Sequence, residues 1–330
     1  MSDLQWRRLR PEDAPAWAEL LAAVEAVDAT GENLSVEDLD EELADQSVDL
    51  TRDSWAVIDG ERMVASGVVS GSTEVWDLHT VHAFGVVHPD YRRRGIGRRL
   101  LAAQLDRGEE LHYERHPTHP GRLSIRPSDH VTSAQALPKA AGLEPVRHWF
   151  DMERDLRQDV PPRRTLGDPL RLAPFTPARD EDVRRAHNAA FRDHYGSTER
   201  DPGEWKQWFT GSRNFRAELS FLVLAGPGDD AEIAGYLLGY FYDADFAVHG
   251  YREGWIGQLG TLPAWRGRGV ASALLTEALA SYREAGYEQA ALDVDSANAS
   301  GALGLYERAG FVVTRSATSW VRDLPARPAG

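Results

Sequence analysis

Apolar and polar positions alternate with two distinct periods along this chain, and the order in which those periods appear occurs twice. In the segment Ser54 to Gly71, apolar runs flank Asp59-Gly60, a dipeptide suited to the positive φ angles of a tight turn, and the pattern predicts a β-hairpin. Ser220 to Tyr242 repeats the arrangement with a longer Gly/Pro/Asp loop. Later in the chain Val270, Leu274, Leu275, Ala278, Leu279 and Tyr282 recur at helical spacing up to Gly286, which predicts a helix with one buried face and a glycine stop. Each half reads as a short strand, a helical stretch, the hairpin, a further strand, a glycine-rich turn, an amphipathic helix, a strand, a helix and a last strand. That order is mixed α/β.

The repetition can be aligned. Pro89 and Pro263 are 174 residues apart, as are Gly95 and Gly269, and downstream Gly142 and Gly310 are separated by 168. A period this long means two whole domains rather than a solenoid. The chain of 330 residues has room for two cores. Residues 158 to 169, rich in proline and charge and lacking apolar periodicity, read as a linker. The division expected is therefore an N-terminal domain over 1–157, a linker over 158–168 and a C-terminal domain over 169–330.

Charge and composition narrow the function. A formal charge of −15 opposes binding to nucleic acid, whose recognition begins with phosphate neutralisation. The absence of cysteine excludes thiolate metal sites and a cysteine nucleophile. No apolar stretch approaches the roughly 18 residues that span a bilayer, and the start shows no signal-peptide core, so a cytoplasmic protein is expected. His112, His116 and His119 read as a solvated loop rather than a metal site, and residues 37–44 as the exposed face of a helix. Trp205, Trp208 and Phe209 at helix spacing read as core.

The chemistry lies in the glycine turns. A strand running into Arg266-Gly267-Arg268-Gly269-Val270-Ala271 and then a helix is a backbone device for holding phosphate, because glycine permits close approach and the first-turn N–H groups point outward unpaired. The first half repeats it as Arg92-Arg93-Arg94-Gly95-Ile96-Gly97, where the arginines can reinforce a phosphate site. Neither turn has a P-loop ending or Rossmann spacing; a purely structural glycine turn is the competing reading.

These turns resemble the signature of the GCN5-related N-acetyltransferase (GNAT) family, Gln/Arg-x-x-Gly-x-Gly/Ala after a strand and a proline. The stretch Asn298 to Phe311, with Leu305-Tyr306-Glu307 and Gly310-Phe311, is similar to the family's downstream helix. The resemblance covers nearly the whole chain and implies two tandem copies of a mixed, mostly antiparallel sheet flanked by helices, each with splayed fourth and fifth strands. It implies acetyl-CoA in that cleft, its pyrophosphate on the turn from Arg266 to Ala271 and Ser272, its pantetheine along Leu259, Gly260 and Thr261, and a contact from Asn298. Val87 and Arg92 to Gly97 would form the corresponding site of the first half. A backbone N–H near Thr261 would stabilise an oxyanion, and Tyr306 would protonate the departing thiolate, although a tyrosine at that spacing can also simply pack inward.

The fourth strand, Trp255 to Thr261, contains no carboxylate, which leaves Glu253 as the nearest candidate base, with Asp243, Asp245 and His249 as rivals. In the first half Pro138 stands where the second has Tyr306, and His130 where it has Asn298, so that half is expected to hold coenzyme A without catalysing. The expected function is transfer of an acetyl group to a primary amine of a small molecule by direct attack. The competing reading is a catalytically silent acyl-CoA-binding protein. Neither nucleic acid nor membrane is an expected partner, and a monomer or dimer is expected.

Overall fold

The computed structural model describes residues 4–228, 231–298 and 301–328. Along the chain run β1 (Gln5–Arg7), α1 (Ala14–Asp28), α2 (Val36–Leu43), α3 (Leu50–Asp53), β2 (Ser54–Asp59), β3 (Arg62–Gly71), β4 (His79–Val87), α4 (Ile96–Arg115), β5 (Gly121–Ile125), α5 (Thr132–Ala140) and β6 (Glu144–Asp155). The second series is β7 (Leu170–Pro174), α6 (Asp180–Phe191), α7 (Pro202–Trp205), β8 (Phe215–Ala225), β9 (Glu232–Tyr240), α8 (Asp243–His249), β10 (Glu253–Thr261), α9 (Val270–Glu284), β11 (Gln289–Asp295), α10 (Ala302–Arg308) and β12 (Val312–Leu324).

The chain forms two compact units, Met1–His148 with Ser316–Gly330, and Trp149–Arg315. In the first unit the strand order is β1-β2-β3-β4-β5-β12, and in the second β6-β11-β10-β9-β8-β7. Each sheet is antiparallel except for its fourth and fifth strands, β4 with β5 and β10 with β11, which are parallel. This is the mixed, mostly antiparallel sheet expected from the family resemblance.

The units differ from the division near residue 160. Trp149 to Asp155 lie antiparallel along β11, and Trp320 to Leu324 along β5, so the last strand of each half completes the sheet built by the other. The physical reason sequence reading missed this is that a repeat offers two equivalent sheet edges to two similar strands, and alternation fixes a strand's faces but not which edge it joins.

The segment after β6 also departs from expectation. It is no free linker: Val160 and Leu166 pack against the second unit's core, and Arg163 pairs with Glu277 at 3.0 Å and Glu284 at 2.7 Å on α9. The histidines are corrected too. His112 is fully buried on α4, with its Nδ1 3.0 Å from Nδ1 of the equally buried His79. Residues 36–43 do form a helix, α2, but Leu39 and Leu43 point into the core.

In the second unit the sheet separates two apolar layers. Leu274, Leu275, Ala278 and Tyr282 of α9 bury one face with Leu237 and Ile256. The other face packs Val183 and Ala186 of α6 with Trp205, Phe209, Tyr236 and Tyr240. Trp205 and Phe209 are core as expected, whereas Trp208 is 38% exposed.

Candidate active site

Strand β10 is held differently along its two edges. Toward β9 it is paired as far as Thr261, while toward β11 the register ends at Trp255, opposite Ala291. From Ile256 onward that edge is open, which is the splay that the resemblance implies. A bulge between Ile256 and Gln258 shifts the register. Its effect on side-chain direction follows from the glycines: a Cβ on Gly254 would meet Tyr282 of α9, whereas Cβ atoms on Gly257 and Gly260 would meet Tyr240 and Tyr236 on the α6 side. Gly257 and Gly260 are three positions apart, an odd spacing that should put them on opposite faces, yet both face one layer, so the bulge re-aims the strand at the cleft.

At the end of β10 the chain passes through a 3₁₀ turn, Pro263–Trp265, into the glycine turn. Gly267 and Gly269 have φ of +75° and +82°, and Gly269 is the N-cap of α9 without any side-chain cap. The first-turn N–H groups of this 15-residue helix are thus aimed outward. A Cβ on Gly267 would find nothing within 4 Å. Beside the turn, Thr261 Oγ1 and Trp265 Nε1 are buried without a protein partner. Open space, unpaired donors and an orphaned hydroxyl at the end of a splayed strand fit an acyl-coenzyme A arm and its phosphates.

The arginines are used otherwise than their spacing suggested. The guanidinium of Arg266 donates to the carbonyls of Thr261 and Ala190, tying α6 to the end of β10. Arg268 lies over the Trp265 ring. Val270, Ala271 and Ser272 form the first turn of α9.

Against the α6 side of the splay is a cavity of about 350 Å³, lined by Trp208, Tyr242, Trp255, Gln258 and the ion-paired Arg200 and Glu204. A single turn of π-helix, Lys206–Thr210, carries Trp208 into it. Arg200, Glu204, Tyr242 and Gln258 escaped the sequence reading. Their only signal was the aromatic spacing from Trp205 to Phe209, which looks the same for core and for cavity wall.

Glu253 opens β10 opposite Gln289, on the face it shares with Trp255 by alternation, roughly 7 Å further along the strand. Its carboxyl is pushed up to about 7, first by burial and then by the charges of Glu153 and Asp245. Tyr306, on α10, is buried against Phe311 and the core beneath α9. Burial, with Asp293 nearby, raises its phenol well above the ordinary value, so it is a neutral proton donor near pH 7. Asn298 accepts from the Gly301 N–H at its backbone carbonyl in the turn before α10. Ala299 and Ser300 of the motif lie outside the described residues. Among the rival bases, Asp243, Asp245 and His249 all fall on α8.

The first half keeps the backbone form of the turn. Gly95 has φ +83°, and Arg93 occupies the left-handed region at +64° where the second half has Gly267. The backbone N–H groups of Tyr91 and Trp265 donate to the carbonyls of His88 and Leu262, at 2.9 Å in each copy. Arg92 is again a clamp: it reaches the Val87 carbonyl and grips both carboxylate oxygens of Asp28 at 2.7 Å. Arg94 donates to the Asp90 carbonyl and lies over Tyr91. Ile96 and Gly97 begin α4, with Leu137 of α5 3.3 Å from where a Cβ on Gly97 would sit. Both ring nitrogens of His130 are engaged, with the Asp28 carbonyl and Ser128 Oγ. Asp28 therefore ties the end of α1 to both the turn and the loop before α5.

Two splayed sheets, each with a glycine turn capping the helix after its fourth strand, define a tandem acyltransferase. The chain belongs to the acetyltransferase (GNAT) family, whose model matches residues 20–119 and 181–311. It is 33% identical over 259 residues to a mycothiol acetyltransferase of Thermobispora bispora, covering 73% of this chain and 74% of that one. A mycothiol acetyltransferase of Mycolicibacterium paratuberculosis is 30% identical, with 94% and 95% covered. Among solved structures, a GCN5-related N-acetyltransferase from Sphaerobacter thermophilus superposes with a TM-score of 0.72 at 25% identity, covering 97% of this chain and 95% of its own. A tandem GNAT protein from the clavulanic acid biosynthesis pathway shares the fold at a TM-score of 0.69, 17% identity and 99% and 100% coverage. The chain is thus an acyltransferase enzyme. Among the described residues no helix is long and apolar enough to cross a membrane.

Proposed function

We propose that the second half transfers the acetyl group of acetyl-CoA to a primary amine of a small molecule by direct attack. The observation that carries this reading is the open edge of β10 from Ile256 to Thr261, with the Gly267 to Gly269 turn at one end and the Trp255 cavity at its side. Coenzyme and acceptor would then approach one strand from two directions. The coenzyme supplies an activated thioester. Leu259, Gly260 and Thr261 would bind the pantetheine through their backbone, and an N–H there would polarise the thioester carbonyl. Glu253, titrating near 7, suits removal of a proton from the incoming ammonium, through water across the gap to Trp255. Tyr306 would return a proton to sulfur. The mycothiol acetyltransferase relatives make mycothiol chemistry the first place to look for the acceptor. An amine library screened with acetyl-CoA for free thiol release tests the reading; no amine-dependent release across the library would refute it.

A further inference from the structure

We infer that Arg164, in the segment joining the two halves, is a phosphate ligand of the second coenzyme site. This rests on the acetyl-CoA reading above and adds a residue to its site. Three anchors hold the segment along α9: the Arg163 pairs with Glu277 and Glu284, the packing of Val160 and Leu166, and the Arg164 backbone N–H, which donates to Thr276 Oγ1 at 3.0 Å. From there the Arg164 side chain runs back toward the start of the helix. A Cβ on Gly269 would lie 2.7 Å from its Nε and 3.0 Å from its Cζ, so the guanidinium rests on the N-cap itself.

Arg164 is solvent-exposed, so water solvates its charge, but the local field opposes a cation there. The N-terminus of α9 carries the positive end of the helix dipole, and Arg266 and Arg268 flank the same turn. Among the described residues no carboxylate pairs with the Arg164 guanidinium, although the protein has 52 acidic residues against 37 basic ones. Its neighbour Arg163, by contrast, has two. A guanidinium held against a positive helix end and left without a counter-ion is matched by an incoming anion, and its planar fork suits the oxygens of a phosphate. The corresponding position of the first half is open: a Cβ on Gly95 would meet nothing within 4 Å beyond its chain neighbours. The segment therefore makes the two turns unequal.

Calorimetric titration of the full-length protein with coenzyme A and with 3′-dephospho-coenzyme A tests this, with Gly269→Val marking which component of the isotherm is the second site. Arg164→Gln is expected to weaken coenzyme A at that component about 10-fold, the usual loss for a charge-assisted contact. If the weakening vanishes for the dephospho compound, Arg164 holds the 3′-phosphate; if it persists, the diphosphate; either supports the assignment. Equal or tighter binding by Arg164→Gln would overturn it, the guanidinium then being a bystander or an obstruction. Should that variant melt early, Arg164→Lys, which keeps the charge without the fork, is expected to fall between, and unchanged affinity in it would overturn the assignment as well. A wild-type protein that binds no coenzyme A fails differently and takes the acetyl-transfer reading with it.

Discussion

Valine at Gly269 and valine at Gly95 make a matched pair of perturbations, because the two glycines have φ of +82° and +83° and cap equivalent helices. An L-residue in this region costs about 1–2 kcal/mol, and that backbone cost is common to both variants. What differs is the surroundings. At Gly95 the added Cβ meets nothing within 4 Å, whereas at Gly269, the N-cap of α9, it meets Arg164 Nε at 2.7 Å. Losing close approach there removes one or two charge-assisted contacts, each worth about 1.5–3 kcal/mol, or on the order of 10- to 150-fold in affinity. The assay is thiol release at fixed amine over a range of acetyl-CoA concentrations, with the melting temperature recorded for each variant. Gly269→Val should raise KM for acetyl-CoA at least 10-fold, and Gly95→Val should change turnover less than twofold at a similar loss of stability. If Gly95→Val abolishes transfer while Gly269→Val leaves it intact, the active half has been misassigned.

Two pH dependences follow from buried groups. Because the Glu253 carboxyl titrates near 7, a base at that position makes kcat/KM rise through neutral pH, and Glu253→Gln should remove that limb; identical wild-type and variant profiles would exclude Glu253 as the base. His79 is driven down to about 3 by burial and by the charges of His116 and His112, so the native state holds it neutral while the unfolded chain protonates near 6.5. Its contribution is fully present above pH 6.5 and is lost as pH falls toward 3, about 1.4 kcal/mol for this one group between pH 7.5 and 5.5. Chemical denaturation at the two pH values checks this, and the slope should shrink in His79→Asn.

Much of this site was legible because glycine spacing and helix punctuation are local. The turn from Arg266 to Ala271 needs positive φ at two positions, and a sequence can display that directly. The strand splay was available through the family resemblance. The role of each arginine was not, since whether a guanidinium meets a ligand or a carbonyl depends on what the fold brings beside it: Asp28 for Arg92, Ala190 for Arg266. The same holds for His112, which looked solvated in a run of polar residues and is instead packed so closely on Gly121 that a Cβ there would lie 2.6 Å from its ring. Strand exchange and the course of residues 158–168 are long-range choices between similar partners, and no local pattern encodes them.

The equivalence of Pro138 and Tyr306, inferred by alignment, can be argued from hydrogen bonds. After α5 the Leu143 N–H donates to the Pro138 carbonyl at 3.0 Å, and after α10 the Phe311 N–H donates to the Tyr306 carbonyl at 3.0 Å, each across a left-handed glycine, Gly142 or Gly310. The two residues thus occupy one position in one helix-ending motif. Helix α5 continues through Pro138 to Ala140, so the first half lost the phenol and kept the helix. In the second half, the ring of Tyr306 packs against Phe311 whether or not it carries a hydroxyl. Tyr306→Phe should therefore leave the melting temperature and coenzyme affinity nearly unchanged while lowering kcat on the order of 100-fold, the usual cost of losing a positioned acid. Because burial raises the phenol above its ordinary value, the wild-type rate should show no loss of this acid anywhere near neutral pH. A variant whose kcat stays within twofold of wild type, measured where acyl transfer limits the rate, would make Tyr306 a packing residue and leave protonation of the departing sulfur to water.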